Sequence, residues 1–398
     1  IKKKIIERTI PKISFEGRFQ YLKKGKIKNI LHKYEKIMLD RSVALKNNRL
    51  FNSVKTNAIL KHNNNTYKAK INLKGKAKDH WSSSKRMSLS VELKGKKSLL
   101  GFNTFSMHTP SSRQYPYDNI FQSLIRDAGG LSSVQKFVHV FVNGDDWGIM
   151  NIEERMSKEF LEKQNKKNSV IVRFSDDRRS LYELNSKASY PLYRIADPLL
   201  YIHLFNKKSF KDEYNRKVYS YILESSLNKN NSIFDIDSIS RAFILGQVWG
   251  NNHTLHETNS RYYFNPYTLK LETITTDQGM WKAIQNDNPL IPFSQYKNIL
   301  SNKFFLEGLS YNLKKVENVI PNSNKHLSYL ESLFPLDKKK STKVIKDNMK
   351  IILNNQDKHL ITPIMSLSQK KDVIIKLPIL PTIQQASEFL DHLYIRHY

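Results

Sequence analysis

An α+β chain, strand-rich first and mainly helical afterwards, is what this sequence predicts, on three observations. Residues 55–168 carry short segments in which apolar side chains alternate with polar ones between turn-forming residues. Beyond about residue 280 the apolar residues recur at helical spacing instead. Between these regions stands a polar run from Trp249 to Asn259, followed by a hairpin and Asp277, where residue types that do chemistry concentrate. The expected organisation is a basic peripheral helical segment over 1–54, a strand-rich lobe over 55–168 and a mainly helical lobe over 169–398.

In the first segment Ile27, Ile30, Leu31, Tyr34 and Ile37 fit one side of a helix. Residues 56–60 and 67–73 read as a hairpin around the polar turn 62–66. Met87, Leu89, Val91 and Leu93 share one face of the next strand, which a Lys-rich turn at 94–97 closes. Ile120, Phe121, Leu124 and Ile125 give a helix over 117–128, stopped by Gly129 and Gly130. Asn143-Gly144 between the alternating runs 137–142 and 147–152 is the strongest short-range hairpin signal in the chain. A helix follows at 156–164, a strand at 169–174, and helical pieces at 199–205 and 213–227. Asp235 or Asp237 caps the helix carrying Ile239, Phe243, Ile244 and Val248, and Gly250 ends it. Residues 260–264 and 269–274 form a hairpin around the turn 265–268. Helices come at 323–334 and 343–353. Pro378 and Pro381 make 373–381 an extended edge segment, and a helix at 386–398 closes the chain.

The 398 residues, 39% hydrophobic and 11% aromatic, suffice for folded lobes with real cores. Lys and Arg number 66 against 36 Asp and Glu, a net charge of +30 that attracts polyanions: nucleotides, acidic lipid or an anionic polymer. Nucleic acid is a weaker expectation, since no RNA- or DNA-binding signature accompanies the charge. The absence of cysteine excludes disulfides, thiolate zinc sites and cysteine nucleophiles. No apolar run reaches eighteen residues. The chain begins at Ile1 and not at Met, so a signal or anchor ahead of it stays open, and with it the choice between cell envelope and cytoplasm.

The hairpin at 260–274 doubles the chain back, which brings Asp277 towards Asn259. An Asn and an Asp so juxtaposed hold Mg2+ on nucleotide phosphates in phosphotransferases. The bland alternative is that Asn and Asp gather in turns for backbone reasons and that loop histidines are solvated. Gly75, among lysines and between two strands, offers backbone amides and cations for phosphates, and Lys85 and Arg86 begin the next strand. Glu154, at the end of a hairpin, is the candidate acid to orient such a cation. His253 and His256 stand at a spacing possible for zinc, but no third ligand is evident nearby. The P-loop, dinucleotide, zinc-protease and serine-hydrolase motifs are all missing.

Taken together, five segments between about 68 and 280 resemble, in order, the spore-coat kinase family called CotH, an atypical protein-kinase-like two-lobed fold. They are Ile71 to Gly75 with Lys85 to Val91; Leu99 to Ser106 with Arg113; the hairpin with Asn143-Gly144, Trp147-Gly148 and Glu154; Gly250-Asn251 with Asn259; and Tyr262 to Pro266 with Asp277. The resemblance implies ATP bound between the lobes, Lys85 or Arg86 on phosphate, Glu154 orienting that cation, and Asn259 and Asp277 holding Mg2+ or Mn2+. The implied reaction carries the γ-phosphoryl group to a hydroxyl of a protein or envelope component. The family commonly has Asp at the position of His253, and the run His253, Leu255, Asn259 is similar to a histidine-containing branch. An imidazole accepts a proton at neutral pH, but brings no carboxylate to align the acceptor. The competing expectations are an inactive pseudokinase or surface module that binds an anionic partner and, more weakly, a nucleic-acid binder.

Overall fold

The computed structural model describes residues 12–16, 37–47, 50, 53–75, 78–83, 86–95, 97–174, 202–227, 230–256, 259–279, 281–286, 289–290 and 303–363. The expected segments at 373–381 and 386–398 lie outside these residues, as does the expected helix at 27–37 apart from Ile37.

Twelve strands are present among the described residues: β1 (Lys12–Glu16), β2 (Thr56–His62), β3 (Asn65–Leu73), β4 (Leu89–Leu93), β5 (Thr104–His108), β6 (Leu131–Ser132), β7 (Gln135–Val142), β8 (Asp145–Glu154), β9 (Ile171–Phe174), β10 (Ile202–Leu204), β11 (Arg261–Asn265) and β12 (Lys270–Thr275). Seven of them close a barrel in the order β1-β2-β3-β4-β5-β8-β7. Period-two alternation drives its assembly: Leu60, Ala69, Val91, Phe105, Val140 and Ile152 are buried together inside. Each fully buried aliphatic or aromatic side chain contributes roughly 1.5–3 kcal/mol. Asn143 and Gly144 both take positive φ (53° and 91°), as the two-residue turn between β7 and β8 requires.

Closure corrects one expectation. Residues 12–16 are not part of a peripheral helix; β1 pairs antiparallel with β2 and parallel with β7, with Ile13 fully buried. A helix, α1 (37–47), does lie at the periphery. Its Ile37 and Ala44 enter the barrel core, and Arg41 donates to the carbonyls of Trp81, Ser82 and Ser83.

The second layer contains the sheet β10-β9-β11-β12-β6 and the helices around it. The helix α2 (Tyr117–Asp127) and β6 fall between barrel strands in sequence, yet Ile120, Phe121 and Leu124 lie in the second core and β6 pairs parallel with β12. The chain thus crosses between lobes before the boundary expected at 168. After the short helix α3 (Lys158–Lys163), residues 202–204 form β10 against β9, where a helical piece was expected. Three residues carry little intrinsic preference, so the open edge of β9 decides their conformation.

The helices α4 (Glu213–Leu227), α5 (Ile236–Val248), α6 (Lys303–Val319), α7 (Ser323–Glu331) and α8 (Lys338–Asn354) complete the second lobe. Asp235 caps α5 by accepting from the Ser238 amide at 2.7 Å, and every residue from Ser238 to Val248 is buried. This central helix delivers the chain to the polar loop at 249–259. The fold is the α+β, two-lobed arrangement expected, with a strand-rich first lobe and a mainly helical second one.

Candidate active site

Polar residues of both lobes converge where the open ends of β3, β5 and β8 meet the loops after α5 and β12. Strand alternation selects which face each side chain takes. Met150 and Ile152 of β8 point into the barrel, so Glu154 follows them and Glu153 points the other way. Glu153 accepts from His108 Nε2 at 2.9 Å and from Thr276 Oγ1 at 3.1 Å, and pairs with Arg113 at 3.2 Å. Arg113 in turn donates to Thr276 Oγ1 at 3.1 Å and lies 3.8 Å from Asp277. The network binds the first lobe to the loop that carries Asp277.

That loop is held from three sides. The Gln278 amide donates to Asp118 of α2 at 2.8 Å, and Asp118 also accepts from Gln122 and Gln135. Gln278 Oε1 accepts from the Thr254 amide at 2.7 Å, while its Nε2 donates to the Asn251 carbonyl. The Thr276 amide donates to Thr254 Oγ1 at 3.0 Å. Gly279 is obligatory, since a Cβ there would stand 2.7 Å from the Arg113 carbonyl. Asp277 itself has φ +57°, a conformation that costs a non-glycine residue free energy and concentrates at functional sites.

His253 is set by its neighbours: its amide donates to Asn251 Oδ1, and its Nε2 accepts from Asn259 Nδ2 at 2.8 Å. The imidazole therefore carries its proton on Nδ1. The rings of His253 and His256 are 6.3 Å apart. Among the described residues, no three His, Asp or Glu side chains gather as a metal cluster.

The electrostatics follow from burial against charge. Burial pushes the Asp277 carboxyl up, but the Arg113 guanidinium beside it outweighs burial and holds it below its ordinary value. Burial likewise opposes ionisation of Glu153, which Arg113 and the His108 hydrogen bond keep well below the usual carboxylate range. Lys74, just past β3, is lowered to about 7 by burial and by Arg155, Arg113 and Arg261, with Glu153 opposing. Arg261 is lowered to about 10 by burial, Arg173 and Arg113. His108 and His80 are each lowered to about 4, by burial first and then by Arg113 for His108 and by His108 for His80. Cations thus crowd against one another around two carboxylates. An anion entering between them would relieve the repulsion.

The residues singled out in the sequence fare differently. His253 and Asn259 are hydrogen-bonded, and their loop is joined to the loop of Asp277 through Thr254, which meets Thr276 and Gln278. Gly75 adopts φ +92°, and a Cβ there would stand 2.0 Å from the His80 ring, so its backbone is shaped by that packing. Lys85 lies outside the described residues. Arg86 runs along β8, with Nη1 3.5 Å from the carbonyls of Trp147 and Ile149. Glu154 pairs with Lys163 at the opposite face of β8 and does not meet the cations; the acid that meets them is Glu153. Sequence reading passed over Glu153 and Arg261 as site residues, and took Lys74 only as one of the lysines around Gly75. The alternation Met150, Ile152, Glu154 was the available signal for Glu153.

A divalent metal fits the donor set. Asp277 supplies an ionised carboxylate, and Asn259, with Nδ2 committed to His253, keeps Oδ1 for a cation; among the described residues nothing donates to that oxygen. One carboxylate and one amide oxygen suit Mg2+ or Mn2+ shared with phosphate oxygens, not a cage built by protein alone.

The family described as CotH kinase protein matches residues 71–307, well over half of the chain. The chain belongs to that family. The family is a kinase family, and kinases in general use ATP and a divalent metal. No curated protein sequence shows significant similarity to this CotH kinase family member. Among solved structures it is similar to a chain of the Shewanella oneidensis MR-1 toxin–antitoxin complex of HipA, HipB and operator DNA, at 12% identity and a TM-score of 0.28. That alignment spans 72% of this chain and 61% of the other, a likeness too slight to carry a further reading.

Proposed function

We propose that this CotH kinase family chain binds ATP with Mg2+ or Mn2+ between its lobes and transfers the γ-phosphoryl group to a hydroxyl of a protein or envelope component. The observation that carries the reading is Asp277: ionised, at φ +57°, 3.8 Å from Arg113, on a loop hydrogen-bonded through Thr276 and Gln278 to the loop that carries His253 and Asn259. Asp277 and Asn259 would hold the metal, which when bound neutralises phosphate charge and aligns the γ-phosphate. Lys74, Arg113 and Arg261 would receive the remaining phosphate charge, and Glu153 would orient Arg113. His253 Nε2 would take the acceptor's proton after exchanging its bond from Asn259 for one from the acceptor hydroxyl.

That same bond supports a second reading. With Nε2 already satisfied by Asn259, a protein that never exchanges it binds nucleotide and transfers nothing, as a pseudokinase or a module for an anionic partner.

The test is thermal unfolding of the chain with ATP and Mg2+ or Mn2+, beside Asp277→Ala and His253→Ala. A ligand at about a hundred times its Kd stabilises the folded state by about 2.7 kcal/mol. The parent is expected to gain that stabilisation only with metal, and Asp277→Ala to lose it. His253→Ala should keep it while losing phosphoryl transfer. Equal stabilisation of parent and Asp277→Ala, or none with any metal, would overturn the nucleotide site; transfer retained by His253→Ala would overturn the base.

A further inference from the structure

Asn348 stands on α8, 1% exposed and beyond residue 307, where the family match ends. Its Nδ2 donates to the Val248 carbonyl at 2.8 Å and to the Lys282 carbonyl at 3.0 Å, and its Oδ1 accepts from the Ile284 amide at 3.0 Å. Val248 is the last residue of α5, immediately ahead of the loop with Asn251, His253 and Asn259. Lys282 and Ile284 follow the loop with Asp277. One buried amide thus holds the entrance of one loop against the exit of the other.

Neighbouring contacts make the same junction. The Lys282 amide donates to the Trp249 carbonyl at 3.3 Å, and Gly250, at φ +65°, passes so close that a Cβ would stand 2.6 Å from the Lys282 carbonyl. Trp281 stacks on Tyr117 with ring centroids 4.3 Å apart, and the Tyr117 hydroxyl lies 3.3 Å from Ser341 of α8. Gln278 ties the two loops together closer to Asp277. Segments that follow a metal-binding aspartate are free to move only where nothing pins them; here both sides are pinned.

We propose that Asn348 is a positioning residue, which sets the loop of His253 and Asn259 against the loop of Asp277 and makes α8 part of the working site. The catalytic consequence rests on the phosphotransfer reading above; the clamp itself does not. Asn348→Ala deletes all three bonds. Asn348→Asp keeps an acceptor for the Ile284 amide and regains a donor only when protonated.

The experiment combines hydrogen exchange with steady-state kinetics on the full chain. In Asn348→Ala the amides of 249–256 and 281–286 should exchange about tenfold faster or more, together, with the β7–β8 hairpin unchanged. The turnover number for phosphoryl transfer should fall about tenfold or more with the KM for ATP within about threefold, the mark of lost alignment. Asn348→Asp should recover activity as pH is lowered, which the parent does not. Unchanged exchange in both segments, faster exchange everywhere including the hairpin, or full turnover in Asn348→Ala would each overturn the proposal. If the parent transfers no phosphate, the phosphotransfer reading falls and the exchange pattern alone decides the clamp.

Discussion

Glu153 and Glu154 are adjacent, on one strand, and almost equally buried at 6% and 4% exposure, yet they belong to different parts of the molecule. Glu153 faces the junction of the lobes, where it meets His108, Arg113 and Thr276. Glu154 takes the barrel face of β8, away from the junction, where Lys163 reaches it, reaches the Gly101 carbonyl, and lies 4.8 Å from the centre of the Phe102 ring. The difference teaches that burial does not mark a functional acid; its partners do. At the junction each partner belongs to another element, so the acid organises two lobes. At the back its cation is 38% exposed and comes from the next helix in sequence, so the pair fastens one corner.

The largest expected effect tests this contrast directly. Glu153→Gln leaves Arg113 buried with a diminished counter-charge, and losing one partner of a buried pair costs about 3–5 kcal/mol. Urea unfolding measures it, and a loss no greater than that of Glu154→Gln would erase the distinction. Gly75→Ala comes next. A methyl group 2.0 Å from the His80 ring, at φ +92°, should cost about 1–3 kcal/mol and loosen the end of β3 that presents Lys74, read by the same unfolding curve.

Acidity sharpens the comparison because the junction holds its titrating groups away from their ordinary values. His80 and His108 titrate near 4 when folded and at 6.5 otherwise, so below pH 6.5 the unfolded chain gains protons that the folded chain refuses. Stability should fall as pH drops from 6.5 to 4, and His108→Asn should flatten that slope. Lys74 acts at the alkaline end: folded near 7 and unfolded at 10.5, it makes stability rise with pH across that window, and Lys74→Met should remove the rise. The smallest effect belongs to the back face. Glu154→Gln faces a partly exposed lysine, and such a pair contributes about 1 kcal/mol or less.

Much of the fold was legible from local signals. The Asn143-Gly144 turn, the Asp235 cap, the glycines after α2 and the alternation in β3 and β4 are each readable because a few neighbouring residues decide them. The return of the Asp277 loop to the loop of Asn259 was legible for the same reason, since one hairpin of short reach brings it back; the bond between Asn259 and His253 was not. Glu153 was legible in principle from the phase of β8, but the apolar run hid which of two glutamates continued it.

By itself, then, the sequence determined the hairpins, the capped central helix and the cationic character, and it singled out His253, Asn259 and Asp277 as the candidates. Only the tertiary structure decided that β1 closes the barrel, that residues 202–204 are strand, that α2 leaves the first lobe for the second, and that Arg113 reaches Thr276 across 163 residues. The physical reason is range. Turns and caps are decided by hydrogen bonds between near neighbours, whereas barrel closure and the inter-lobe ion pairs depend on contacts between residues far apart in the chain, formed only when both cores have packed.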